Sequence, residues 1–160
     1  MFYTYYNAPF GILRLASNGN ALTELRFPNA FTVGATPEHW VASDSPFSEA
    51  ISQLDDYFKG KRLAFSLPLD PSGTSFQKDV LKALQTIPYG ETRSYADIAR
   101  DVGRPKAVRA VGAANGRNPI AIIIPCHRVI GKNGSLTGFG GGLALKQWLL
   151  DLEAEYYFGP

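Results

Sequence analysis

The stretch from Ile120 to Gly131 constrains this chain more than any other. It reads Ile-Ala-Ile-Ile-Ile-Pro-Cys-His-Arg-Val-Ile-Gly. Five consecutive apolar residues, Ile120 to Ile124, predict a strand buried on both faces. Pro125 has no backbone N–H and cannot continue an interior ladder, so the strand is expected to end there. The next three residues are a nucleophile, a titratable base and a fixed cation: Cys126, His127 and Arg128. Cys126 is the single cysteine among 160 residues. A lone thiol often serves as a small buried hydrophobe. A thiol placed where a rigid strand stops, with a proton acceptor and a cation beside it, is instead in surroundings that raise the thiolate fraction. The residue pattern points to nucleophilic chemistry.

Charge gives a second constraint. Residues 1–74 carry five Lys/Arg against seven Asp/Glu, a balance of −2, and residues 75–160 carry eleven against seven, a balance of +4. Arg93, Arg100, Arg104, Lys106, Arg109, Arg117, Arg128 and Lys132 are opposed only by Asp97 and Asp101, a local excess of +6 around the cysteine. Such a window is either a solvated basic face or the footprint of a polyanionic partner, and the second reading is the sharper. No apolar run approaches the length needed to span a bilayer, and no basic-then-apolar leader opens the chain. A single free thiol is most easily kept reduced in the cytoplasm, which is the expected location. With His39 the sole histidine besides His127, no zinc set can be assembled, and no cofactor motif is present.

In chain order, Ile12–Ala16 and Leu22–Phe27 flank Ser17-Asn18-Gly19-Asn20 and predict a β-hairpin. Residues 28–44 predict loop. Ser45 as N-cap and Pro46 as first helical residue open a helix with Phe47, Ala50, Ile51, Leu54 and Phe58 at helical spacing, stopped by Gly60. Leu63–Leu67 is expected to form a third strand. Residues 68–74 have linker composition, dividing the chain into domains 1–73 and 74–160. A helix from Ser75 buries Phe76, Val80, Leu84 and Ile87, ending by Pro88. Another opens at Ser94 with Asp97 three residues on, burying Ile98, Ala99 and Val102. Gly103 closes it, Arg104 turns, and Pro105 starts the next helix, a helix-turn-helix pattern. Val108 and Val111 of that helix are expected to face the core. Lys106, Arg109, Ala110 and Ala113 then share the opposite face, two cations and two small residues able to approach a nucleic-acid backbone. A final helix carries Leu145, Trp148, Leu149 and Leu152 as its apolar stripe, with Glu153 at the stripe's edge.

Pro125-Cys126-His127-Arg128-Val129 resembles the active-site signature of the O6-alkylguanine-DNA alkyltransferases, the methylated-DNA–protein-cysteine S-methyltransferases. The resemblance extends over Tyr95, the run from Lys106 through Asn115 and Asn118 to Pro119, the glycines 140–142, and Lys146 to Glu153, covering about residues 74–160. It implies an α+β fold: a small N-terminal α/β scaffold domain, then a mostly helical domain with a winged-helix-like helix-turn-helix. It also implies single-turnover, cofactor-free transfer of an alkyl group from O6-alkylguanine, with O4-alkylthymine as a second lesion, in double-stranded DNA to Cys126 of a monomer. His127 would be the base, Glu153 its orienting carboxylate, and Asn118 the residue that positions the cysteine loop. Tyr95 would crowd the phosphate and protonate the departing guanine. Arg109 would fill the stack vacated by the flipped base. Lys106, Ala110, Ala113, Asn115, Arg128 and Gly140 complete the expected DNA-binding set.

The sequence departs from the family pattern at two places. Gly140 stands where many members carry serine, removing one side-chain contact to the base, and Leu152 replaces a histidine often found before the glutamate. Two other classes use overlapping parts. A cysteine hydrolase also needs a Cys–His–carboxylate set, together with an oxyanion hole. A helix-turn-helix regulator or lesion sensor binds DNA without needing the thiol.

Overall fold

A computed structural model describes residues 1–27, 35–137 and 142–157. It divides into two compact units, Met1–Pro71 and Ser72–Pro160.

The first unit is built on β1 (Phe2–Ala8), β2 (Gly11–Ser17) and β3 (Leu22–Arg26), an antiparallel meander. The Asn-Gly turn predicted between β2 and β3 is present, Asn18 Oδ1 accepting from the Asn20 and Ala21 amides. The sequence reading missed β1, whose run Phe-Tyr-Thr-Tyr-Tyr-Asn-Ala shows no apolar/polar alternation. β1 pairs with β2 from Phe2↔Ser17 to Ala8↔Gly11. Residues 28–34 of the expected loop lie outside the described residues. Further along, β4 (Val41–Ala42) joins the sheet parallel to β1, so that part is not all loop. Ser45 is not an N-cap: it begins a 3-10 turn, Ser45–Phe47, preceded by Asp44, whose carboxylate is engaged by the Thr4 hydroxyl at 2.6 Å. α1 (Ser48–Phe58) follows and buries Ala50, Leu54 and Tyr57. It meets the sheet where Tyr6 donates to Asp55 at 2.6 Å and stacks on Phe58. Leu63–Leu67 is not a strand. Its main chain at Ser66 is bonded by both ends of the Gln53 carboxamide instead, and a single bridge, Leu22↔Leu69, follows. A side-chain amide thus replaces the neighbouring strand.

The second unit opens with α2 (Ser75–Leu84), whose Thr74 and Gln77 form a reciprocal capping box. Val80, Leu81 and Leu84 are buried, and Ile87 is buried just past its end. β5 (Arg93–Ser94) leads into α3 (Tyr95–Asp101), capped as the sequence predicts by Ser94 and Asp97. Gly103 takes φ +76°, the left-handed conformation that ends α3 without a Cβ penalty. α4 (Val108–Gly116) starts three residues later than Pro105 predicts. The Ala107 amide bonds back to the Arg104 carbonyl, so Pro105 and Lys106 form a separate turn rather than a first helical turn. Val108 is exposed and only Val111 of the expected pair is buried. β6 (Val129–Ile130) pairs parallel to β5, with Arg93↔Val129 and Ser94↔Ile130. α5 (Leu143–Glu155) closes the unit. Its buried face is Lys146, Leu149, Leu152 and Glu153, so two charged residues occupy part of the stripe expected to be leucine and tryptophan. No helix among the described residues is long and apolar enough to cross a membrane.

Candidate active site around Cys126

The apolar run before the cysteine is buried but is not a strand. The Ile124 amide bonds to the Ile120 carbonyl at 3.0 Å and the Ile123 amide to the Ala121 carbonyl at 2.8 Å, folding the run into consecutive turns. Asn118 brackets it from inside. Its Oδ1 accepts from the Ile120 amide at 3.0 Å, and its Nδ2 donates to the Ile124 carbonyl at 2.8 Å. Ile122 is thereby held at φ 71°, a left-handed conformation that costs a β-branched residue about 1–3 kcal/mol. Burial explains the apolar composition; period alone cannot separate a buried strand from a buried turn.

Cys126–Arg128 forms a 3-10 turn immediately before β6. Cys126 is 5% exposed and His127 is fully buried. Asn115, expected to face DNA, is buried in α4, and its Nδ2 donates to the Cys126 carbonyl at 3.3 Å. Arg128 is a second correction, because it is 7% exposed and reaches inward, not toward a phosphate. Its Nε and Nη2 bond Glu153 at 2.7 and 3.0 Å, its Nη1 bonds the Ile87 carbonyl at 2.7 Å, and it stacks over the Tyr89 ring. His127 Nε2 meets Glu153 Oε2 at 2.6 Å. Glu153 Oε1 also accepts from the Gly90 amide at 3.2 Å, where φ is +78° and a Cβ would collide with Tyr157.

Electrostatics follow from burial. Burial opposes ionisation of Glu153, yet the hydrogen bonds from His127 and Arg128, together with the Arg128 charge, outweigh it and hold the carboxyl well below the usual carboxylate range. Burial likewise pushes the His127 imidazole down despite Glu153, so the ring is neutral at ordinary pH. An ionised Glu153 accepts a proton bond from Nε2, which places the lone pair on Nδ1. Nδ1 is buried with no hydrogen-bond partner among the described residues. The thiol differs from the sequence expectation. Burial pushes it up, and the Asn118 amide and Lys146 charge only partly offset this, so the resting sulfur is a protonated thiol.

The sequence reading placed Lys146 in the family-like run but gave it no role. It is fully buried on α5, and its Nζ donates to the Val129 and Thr137 carbonyls at 2.6 and 2.9 Å. The signal was a lone Lys at helical spacing from Leu149 and Glu153. Tyr95, at the start of α3, is half-buried and bonds Thr137. Arg109, Ala110 and Ala113 lie exposed together on α4, while Lys106 is exposed on the preceding turn. Gly140 lies outside the described residues. No group of three or more His, Cys, Asp or Glu suited to a metal occurs among the described residues.

A buried thiol, a carboxylate-bound imidazole beside it and a helix-turn-helix that exposes Arg109 beside two alanines, with Lys106 on the turn before, define a thiol-centred group-transfer site joined to a nucleic-acid-binding scaffold. Residues 75–155 match the family described as 6-O-methylguanine DNA methyltransferase, DNA binding domain, and residues 1–71 match its ribonuclease-like domain. The chain belongs to the 6-O-methylguanine DNA methyltransferase family. It is 50% identical over 155 residues to a methylated-DNA–protein-cysteine methyltransferase of Methanosarcina acetivorans, covering 97% of this chain and 99% of that one. A Mycobacterium tuberculosis protein of the same description is 53% identical over 151 residues, covering 94% and 91%. The crystal structure of Mycobacterium tuberculosis OGT in complex with DNA superposes with a TM-score of 0.91 at 51% identity, covering 98% of this chain and 94% of that one.

Proposed function

We propose that this protein repairs O6-alkylguanine in double-stranded DNA by moving the alkyl group irreversibly onto Cys126. The observation that carries this reading is the buried Cys126 turn, bracketed by Asn118 and flanked by the His127–Glu153–Arg128 cluster. A base inside a duplex is out of reach of such a buried sulfur, so the lesion must be rotated out of the stack. Exposed Arg109 fills the gap, Ala110 and Ala113 permit close approach, and Lys106 neutralises phosphate. Because the resting thiol is neutral, deprotonation is part of the reaction. Neighbouring side chains diverge, and a water carries the proton from Sγ to His127 Nδ1, while Glu153 stabilises the imidazolium. Sulfur then attacks the alkyl carbon, a C–S bond forms as the C–O6 bond breaks, and the departing guanine takes a proton from the Tyr95 hydroxyl. The imidazolium proton is released to solvent, from which Tyr95 is reprotonated.

The product is a thioether, which thiol exchange cannot reverse because it contains no S–S bond. The protein therefore acts once, as a cytoplasmic monomer, with the first unit serving as scaffold. Mixing it with excess methylated duplex and weighing the products by mass spectrometry tests this. The expected result is one alkyl group per chain, mapped to Cys126, with repair stopping at that ratio. Continued turnover beyond it overturns the mechanism.

A further inference from the structure

Thr137 makes two contacts with Tyr95 that the reaction scheme does not use. Its hydroxyl donates to Tyr95 Oη at 2.9 Å. Tyr95 Oη reaches back to the Thr137 carbonyl at 3.4 Å, beyond the usual span of an O–H···O bond. That carbonyl already accepts from Lys146 Nζ at 2.9 Å. The two contacts therefore have different consequences. The Tyr95 oxygen is well held as an acceptor, whereas its proton is only loosely held, 3.4 Å from an oxygen that also accepts from Lys146.

We propose that Thr137 is a positioning residue for alkyl transfer: its hydroxyl fixes the Tyr95 oxygen as an acceptor and leaves the Tyr95 proton for the departing guanine. The proposal rests on the reading of Tyr95 as the group that protonates that guanine. As negative charge grows on the Tyr95 oxygen, a hydrogen bond donated to it strengthens, so the contact favours the transition state over the resting state. The frame around the pair is tied down on both sides. Tyr95 follows Ser94, which pairs with Ile130 in β6, the strand that directly follows the Cys126 turn, and Lys146 ties Thr137 to Val129 in the same strand. A serine at position 137 can supply the same donor, whereas valine keeps the shape and removes it.

The test measures single-turnover transfer from an O6-methylguanine duplex for wild type, Thr137→Val, Thr137→Ser, Tyr95→Phe and the Thr137→Val/Tyr95→Phe double variant. Duplex affinity and melting temperature are read alongside. Thr137→Val is expected to slow transfer about tenfold with unchanged duplex affinity, as loss of one hydrogen bond made stronger in the transition state predicts. Thr137→Ser should recover to within about twofold, and valine should add nothing to Tyr95→Phe. A Tyr95→Phe protein reacting at the wild-type rate sinks the donor reading of Tyr95 and the proposal with it. If Tyr95→Phe is slow but Thr137→Val is not, or if valine slows the Tyr95→Phe protein further, the Thr137 role alone is overturned. Should Thr137→Val fail to fold, Thr137→Ala makes the same comparison.

Discussion

Replacing Glu153 by glutamine tests the buried cluster most severely. The carboxylate accepts from His127 Nε2, from Arg128 Nε and Nη2, and from the Gly90 amide, in a site where His127 and Glu153 are essentially without solvent. Glutamine fills the same volume, but one of its two ends is a donor, so it faces donors with a donor. The Arg128 guanidinium is then left without its counter-charge. Removing one member of a buried ion pair costs about 3–5 kcal/mol. For a chain of this length each kcal/mol moves the melting temperature by about 2–4 °C, so Glu153→Gln should melt about 6–20 °C earlier. Chemistry should suffer separately. Without the carboxylate, no charge holds the proton on Nε2 or stabilises an imidazolium, and His127 Nδ1 is less well defined as the acceptor. A general base contributes about 10²–10⁴-fold, which bounds the expected fall in single-turnover alkyl transfer. Circular dichroism melting and quenched-flow transfer at a temperature where the variant is still folded give the two numbers. A variant that melts with the wild type refutes the charge accounting. One that is destabilised yet transfers at the wild-type rate refutes the role of His127.

Three further outcomes follow from the same geometry. Arg109→Ala should slow repair of alkylated duplex while leaving reaction with free O6-benzylguanine near normal; equal losses on both substrates place Arg109 in the chemical step. Cys126→Ala should bind duplex DNA nearly as well as wild type, with affinity falling steeply as salt rises, because cationic contacts to phosphate release counterions; titration at several ionic strengths checks the slope, and a flat response refutes the basic face. Stability should fall as pH drops from about 7 to 4: His127 is held neutral below its usual pKa and Glu153 ionised below its own, so the unfolded chain binds more protons than the native one. Thermal melts across that range check the sign, and a curve that stays level counts against the buried pair.

Local signals in this sequence read well where one residue decides the outcome. Ser94 and Asp97 cap α3, Gly103 ends it, and Asn18-Gly19 turns the β2–β3 hairpin, each by bonds within a few residues. Signals fail where the partner is distant. Nothing near Arg128 in sequence says that it will turn inward to Glu153, 25 residues away, and a basic residue beside a reactive thiol reads equally well as a phosphate contact. Asn115 sits on a helix whose one other polar residue, Arg109, is exposed, and it is the distant Cys126 carbonyl that its buried amide engages. Pro105 satisfies every rule for a first helical residue, yet the Ala107–Arg104 turn claims that position and displaces Lys106 from α4. Five consecutive hydrophobic residues establish burial, and the Asn118 carboxamide decides that the buried chain turns instead of extending.

Keeping the Cys126 sulfur protonated and almost closed to solvent has a consequence for the protein's working lifetime. Oxidants and small electrophiles in a cell attack thiolates, and their rates follow thiolate fraction and exposure. A sulfur poised as a permanent thiolate would be consumed by peroxide or by stray alkylating agents before it met a lesion, and a chain whose product is a thioether has no way back. Burial lowers both factors together, and in the proposed mechanism His127 removes the proton only within the assembled complex. Selectivity for the intended alkyl donor is in this sense a matter of timing: the nucleophile comes into being where the substrate already is.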